Sequence, residues 1–310
     1  MSVTTRELRL VGAGGEPVDL VRTLNSHGFV DLPPMKPDPD YRATELTVRT
    51  RRGKPRRVRI ESGRRGYARL SILGPASSNG VADDVTDTVR YVLRLDADLS
   101  SFYAAAADDE QLSWVTTGAG RMVRSASVFE DVVKTICTTN CTWSATVRMV
   151  HAIVANLGEP AAGAPPDTPW RAFPTPEAMA EAGTGFYRDV ARAGYRGAYL
   201  ESLARSVAAG ELDVEWFGRA SADELNDEEL ERRLLALPGV GPYAAAHIMM
   251  TLGRYHRLIL DSWTRPTYVK RAGRKAAATD ASIQRRFRRY GSYAGLAFWM
   301  FVTRDWVNEA

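Results

Sequence analysis

The chain has 310 residues, 45% apolar and 25% charged, and carries a formal net charge of +4. That length exceeds a usual single hydrophobic core and favours two domains, while the composition excludes bulk disorder. No run of 18 apolar residues occurs, which excludes a membrane-crossing helix.

Of the 41 basic residues only Lys36, Lys54, Lys134, Lys270 and Lys275 are lysine; the rest are arginine. Arginine forks match phosphate oxygens, although an arginine-rich genome gives the same composition. The segment from Met1 to Glu7 lacks the apolar core of a secretory signal, and two cysteines fit a reducing compartment, so a cytosolic protein is expected. Cys137 and Cys141 cannot complete a four-ligand zinc or iron–sulfur site. His27, His151, His247 and His256 include no pair at metal-ligand spacing, so neither a metal nor a cofactor is expected.

The first 110 or so residues show short alternating segments in place of long helical periods. Gly12-Ala13-Gly14-Gly15 opens no amphipathic helix and reads as a turn, not a nucleotide loop. Leu46-Thr47-Val48 and Val58-Arg59-Ile60 flank a turn around Arg52-Gly53-Lys54-Pro55 and predict a β-hairpin. Its tip gathers Arg49, Arg51, Arg52, Lys54, Arg56, Arg57 and Arg59, which fits a solvated hairpin end first and a phosphate contact second.

From Ser127 onward the period becomes helical: Val128, Val132 and Ile136, then Met149, Val150, Ile153, Val154 and Leu157 before Gly158. Residues 158–169, rich in proline, read as a surface connection between helices. The fold class that follows is α+β: an N-terminal antiparallel sheet domain over 1–112, then a mainly helical domain over 113–310.

After an amphipathic run from Asp227 to Ala236 comes Leu237-Pro238-Gly239-Val240-Gly241-Pro242-Tyr243. The glycines allow positive φ in a tight reversal, Val240 tucks between two helices, and Pro242 suits the first turn of the second. Backbone amides at that helix start make a phosphate site independent of sequence. An ordinary helix connection is the alternative. Twenty residues beyond Gly241, Asp261 follows an apolar run at the start of a further helix, where an N-cap role is the structural alternative to a catalytic one.

With that aspartate the chain resembles the helix-hairpin-helix DNA glycosylases, both the 3-methyladenine glycosylase II group and the 8-oxoguanine group. Further segments agree: Phe129-Glu130 to Asn140, Phe173-Pro174-Thr175-Pro176-Glu177 and Gly194-Tyr195-Arg196-Gly197-Ala198-Tyr199. The resemblance spans about residues 115–305 and is fainter before them. It implies a double-stranded DNA partner bound through Gly239, Val240 and Gly241, with Asp261 stabilising the positive charge that develops on the sugar. Bifunctional relatives carry a lysine two residues after the second hairpin glycine; here Tyr243 stands there, implying a monofunctional enzyme that uses water. Tyr243 either lies near the flipped nucleotide or only packs.

Asn140, Tyr195 and Arg196 match residues that fill the vacated stack and face the orphaned base, the alternatives being a helix cap for Asn140 and a core aromatic for Tyr195. Phe298 matches a phenylalanine that stacks on the flipped base. Ala294 replaces the glutamine that reads oxidised guanine, and His247 replaces a stacking cysteine, which speaks against 8-oxoguanine and for an alkylated purine. Trp143, Trp263 and Trp299 are candidates for aromatic pocket surface, with core packing the alternative. No cluster is implied, since the four spaced cysteines of iron–sulfur members are lacking. A monomer is expected, because one duplex needs one contact face. Three rivals stand beside this reading: a helix-hairpin-helix DNA-binding protein without chemistry, an 8-oxoguanine-type glycosylase with lyase activity, and, more distantly, a helical enzyme that does not act on DNA and shares the hairpin by chance.

Overall fold

The computed structural model describes residues 2–51, 53–165 and 167–307, so Arg52 at the expected hairpin tip lies outside it. Five strands, β1 (Ser2–Arg9), β2 (Met35–Pro37), β3 (Thr44–Val48), β4 (Arg56–Ser62) and β5 (Tyr67–Gly74), form one antiparallel sheet in the order β1-β5-β4-β3-β2. Alternation builds it: Val58 and Ile60 of β4 and Ala68, Leu70 and Ile72 of β5 are buried on one face. The β3–β4 hairpin forms where the sequence places it, with Leu46 opposite Val58. Its arginines are largely matched. Arg57 pairs with Glu45 at 2.6 Å, Arg49 with Glu159 at 2.8 Å, and Arg59 with Glu61 at 3.1 Å.

The first 110 residues also hold helices that the reading above omits. After α1 (Leu20–Leu24) and the sheet come α2 (Asn79–Val92) and α3 (Ser100–Ala106). The Ser78 hydroxyl caps α2 by accepting from the Val81 amide, and Ala82, Val85, Val89 and Val92 line its buried face against the sheet. That three- and four-residue spacing is present in the sequence, but polar residues dilute it.

The helical part comprises α4 (Val128–Thr138), α5 (Trp143–Leu157), α6 (Pro176–Glu181), α7 (Gly183–Gly185), α8 (Arg196–Ala208), α9 (Glu215–Arg219), α10 (Asp227–Leu235), α11 (Pro242–Leu252), α12 (Thr264–Arg271), α13 (Asp280–Phe287) and α14 (Ala294–Thr303). No helix is long and apolar enough to cross a membrane among the described residues. Apolar side chains of α4, α5, α8, α10 and α11 share one core, into which Phe29 and Leu32 of the sheet part insert. A second core joins α3 to α12, α13 and α14. The two parts are thus sewn together at Phe29 and at α3.

One buried ion pair stands at that seam. Lys134 Nζ lies 2.6 Å from Glu130, both side chains at most 2% exposed, and donates to the Ser125 hydroxyl at 3.3 Å. It also lies 5.8 Å from the Phe29 ring centre. Asp131 beside them accepts from the Ser125 amide at 2.9 Å, and burial pushes its carboxyl up to about 6. Removing one partner of such a pair strands the other charge at a cost of about 3–5 kcal/mol, whereas an apolar replacement of both is close to neutral. Urea denaturation should therefore show Lys134→Met destabilised by that amount, with most of the loss recovered in Lys134→Met/Glu130→Leu. A single variant as stable as wild type would show that the pair carries no structural weight.

Candidate functional site

The helix hairpin is α10, the turn Leu237–Gly241 and α11. Val240 is buried with Leu234, Leu237 and Ala244, between the two helices as expected. Gly239 has φ +79, and a Cβ there would meet the Tyr199 ring at 2.7 Å, so both backbone angle and space demand glycine. Gly241 differs from expectation. Its φ of −97 and ψ of −175 are extended, open to any residue, and it serves as the N-cap of α11. With Pro242 following and no capping side chain, the amides that open α11 are left for an outside acceptor.

Asp261 occupies the loop before α12. Its Oδ1 accepts from the Trp263 amide at 2.9 Å and the Thr264 amide at 2.6 Å, while its own amide donates to the Thr264 hydroxyl at 2.9 Å. The capping role and the exposed-carboxylate role are therefore not alternatives: one oxygen is fixed by backbone amides, and among the described residues Oδ2 has no protein hydrogen-bond partner. Asp261 lines a cavity of about 890 Å³ together with His27, Phe29, Trp143, Tyr243, His247, Trp263, Trp299 and Trp306.

These rings hold one another. His247 stacks near Phe29 with centroids 6.0 Å apart at 29°, and meets Trp299 edge-on at 6.0 Å. Trp263 and Trp306 are 5.3 Å apart at the same wall. Trp143 lies over Gly28, where a Cβ would come within 2.7 Å of its ring. Trp299 Nε1 donates to the Ser26 carbonyl at 2.7 Å, tying α14 to the sheet part. Burial lowers His27 to about 3 and His247 to about 4, and burial raises the Tyr243 hydroxyl.

The structure brings Asp261, Tyr243 and His247 into one cavity, and all three candidate tryptophans line it. Phe298 does not line it: fully buried, it packs against Phe287 at 5.4 Å in the core, and its neighbour Trp299 lines the cavity instead. Adjacent residues on a helix point about 100° apart, so a shift of one position exchanges core for pocket. Ala294, at the start of α14, is buried in the same core as Phe298. Asn140, with φ +46, stands in the turn between α4 and α5, and its Nδ2 donates to the Tyr195 hydroxyl at 3.2 Å. Tyr195 is 54% exposed and meets Tyr199 edge-on, which in turn packs on Gly239. Asn140 and Tyr195 thus sit on an exposed edge continuous with the hairpin turn. Arg196 is buried, and its Nε donates to the Thr139 carbonyl at 2.9 Å, bracing the loop that presents Asn140 instead of reaching outward.

Sequence reasoning missed the wall supplied by the sheet part, namely His27, Gly28, Phe29, Asp31 and Tyr41, and also Trp306. No local spacing links residue 29 to residue 247; only the tertiary fold joins them.

No protein-family model matches the chain, and no curated protein matches it. Solved structures do. The 3-methyladenine DNA glycosylase from Archaeoglobus fulgidus superposes with a TM-score of 0.72 at 18% identity, covering 98% of this chain and all of the other. MBOgg1 in complex with a low-affinity DNA ligand gives 0.71 at 18% identity, covering 99% of each chain. The 8-oxoguanine glycosylase/lyase of Clostridium acetobutylicum in its apo form gives 0.62 at 19% identity, over 88% of this chain and 99% of that one. The resemblance read from the residues therefore extends to the whole architecture, sheet included: this is the fold of helix-hairpin-helix glycosylases.

The two histidines make stability depend on pH. Their folded values, about 3 and about 4, lie below the ordinary 6.5, so the fold favours the neutral rings; the contribution is complete above pH 6.5 and is lost as pH falls toward 4 and 3. Each withdraws up to about 1.4 kcal/mol per pH unit. Asp131, raised to about 6, and Glu130, also raised by burial, act in the opposite sense and partly offset the histidines as pH falls. The melting temperature should still fall from pH 6.5 to 6, and His247→Phe should show a shallower slope than wild type over the same interval. A flat profile in wild type would contradict the buried neutral assignment.

Proposed function

We propose that this chain is a monofunctional DNA glycosylase that releases an alkylated purine from double-stranded DNA as a first step of base-excision repair. The observation that carries this reading is the Asp261 carboxylate, fixed through one oxygen in the wall of an aromatic cavity beside the helix hairpin. The amides of Gly239 and Gly241 and the start of α11 bind a backbone phosphate without reading sequence, while the Val240 amide is held by the Leu237 carbonyl at 3.1 Å and Val240 contributes by packing. Asn140 and Tyr195 fill the gap left by the extruded nucleotide and face its former partner, with Arg196 bracing their loop. The enzyme works as a cytosolic monomer on DNA, one contact face serving one duplex.

In the chemical step the C1′–N bond breaks, its electron pair leaves with the base, and water adds to C1′. Asp261 Oδ2 stabilises the positive charge growing on the sugar, orients the water and takes its proton. A purine alkylated on a ring nitrogen starts out cationic and departs neutral, so no acid is needed to protonate it. Trp143, Trp263 and Trp299 supply aromatic surface for that cation, and among the described residues three lining carboxylates, Asp31, Asp40 and Asp261, outnumber the one lining guanidinium, Arg42. Both the ring faces and the charge balance favour an electron-poor base over 8-oxoguanine.

Water as the nucleophile is supported by the lining: it contains no lysine among the described residues, Tyr243 occupies the lysine position of bifunctional relatives, and Lys134 is committed to Glu130. Randomly methylated duplex DNA is the direct substrate for a test. Methylpurines should appear in solution, nicks should appear only after alkali, and borohydride should trap no protein–DNA adduct. Nicks without alkali together with a trapped adduct would establish a lyase; tight DNA binding with no base released would leave a non-catalytic DNA-binding protein.

A further inference from the structure

The buried polar groups of the cavity wall are nearly all spoken for within the protein. His27 Nε2 donates to the Val123 carbonyl at 2.5 Å, and its Nδ1 accepts from the Phe29 amide at 3.3 Å. The Thr138 hydroxyl donates to the Thr135 carbonyl at 2.7 Å, and the Thr146 hydroxyl to the Cys137 carbonyl at 3.0 Å. Trp299 is tied to Ser26, and Asp261 Oδ1 to α12.

His247 departs from this pattern. It is 9% exposed, it lines the cavity, and among the described residues neither ring nitrogen has a hydrogen-bond partner; Nδ1 is shut off from solvent, which leaves Nε2 as the atom open to the cavity. The buried Nδ1 is out of reach of any ligand, so Nε2 is the ring atom that a molecule in the cavity can meet. Phe29, Trp299 and Tyr243 clamp the ring, so Nε2 is held rather than free to swing. The same helix, α11, presents its N-terminal amides outward and His247 inward, so a phosphate bound at one end fixes the register of a base held further along it. With a pKa near 4 the ring is neutral under physiological conditions and does not repel a cationic base.

We propose that His247 is a specificity-determining residue whose Nε2 hydrogen-bonds the edge of a purine bearing an exocyclic amino or carbonyl group, while the tryptophans hold its faces. This rests on the glycosylase reading above. A site built to hydrogen-bond a base discriminates against analogues that lack the group far more sharply than stacking does.

His247→Phe keeps the ring and its packing and removes both nitrogens; His247→Gln restores a donor and an acceptor. Quenching of cavity tryptophan fluorescence by free 3-methyladenine and 7-methylguanine, followed by single-turnover release of both bases from methylated duplex DNA, is measured for wild type and both variants. Wild type should bind at least one free purine, His247→Phe should bind it and release it about tenfold more weakly or worse, and His247→Gln should recover part of each, with affinity for undamaged duplex unchanged throughout. Equal binding and release by wild type and His247→Phe would overturn the assignment, as would a wild type that binds neither purine. If wild type binds a free purine in a His247-dependent manner yet releases no base from DNA, the glycosylase reading fails and the His247 site stands. Should His247→Phe melt well below wild type, the comparison of His247→Gln with His247→Leu decides: equal losses in both mark a packing role and overturn the proposal.

Discussion

The site depends on how one carboxylate is held. Asp261 Oδ1 accepts from two backbone amides at the start of α12, and the Asp261 amide donates to the Thr264 hydroxyl, a reciprocal cap that restricts the rotational freedom of the side chain. The second oxygen is thereby aimed by the backbone and needs no side-chain partner. A fixed anion of this kind costs no reorganisation when positive charge develops beside it, whereas a mobile one must first be ordered. The helix end also supplies partial positive charge to the anchored oxygen, which keeps the carboxylate in place. Capping therefore engages one oxygen of Asp261 and leaves the other for the chemistry proposed above.

Around that anion the protein assembles a cavity from distant parts of the chain. The sheet part contributes His27 to Asp31, α5 contributes Trp143, α11 contributes Tyr243 and His247, and the C-terminal segment contributes Trp299 and Trp306. The buried Glu130–Lys134 pair and the Trp299-to-Ser26 hydrogen bond lie at the junctions of those parts. Two histidines stand in the wall, and burial lowers both rings well below the ordinary imidazole value. The hairpin and the cavity share α11, whose first residues close the hairpin turn and whose Tyr243 and His247 line the cavity.

The sequence made the hairpin legible because its signals are local: a glycine with φ +79, a valine between two helices and a proline at a helix start all fall within six residues. Asp261 was legible for the same reason, a carboxylate directly after an apolar run. Gly241 shows the limit of that reasoning, since its extended backbone needs no glycine and its value lies in leaving the helix start uncapped. Phe298 was misplaced by one position on α14; a helix buried on nearly every side offers no polar face from which to set the phase. The sheet-part wall was invisible because the pairing of Phe29 with His247 is made by tertiary packing across more than 200 residues, and α2 was masked by polar residues between its valines.

The account turns on the charge of Asp261, and Asp261→Asn isolates it, because the amide oxygen of asparagine can still accept from the Trp263 and Thr264 amides and preserve the cap. The decisive measurement is the single-turnover rate of methylpurine release by this variant, alongside its melting temperature and its affinity for undamaged duplex. If the carboxylate charge carries the chemistry, the rate falls about 100-fold or more below wild type, with stability and affinity essentially unchanged. Release at the wild-type rate by a folded, DNA-binding Asp261→Asn would contradict it, and the carboxylate would then be a helix cap and nothing more.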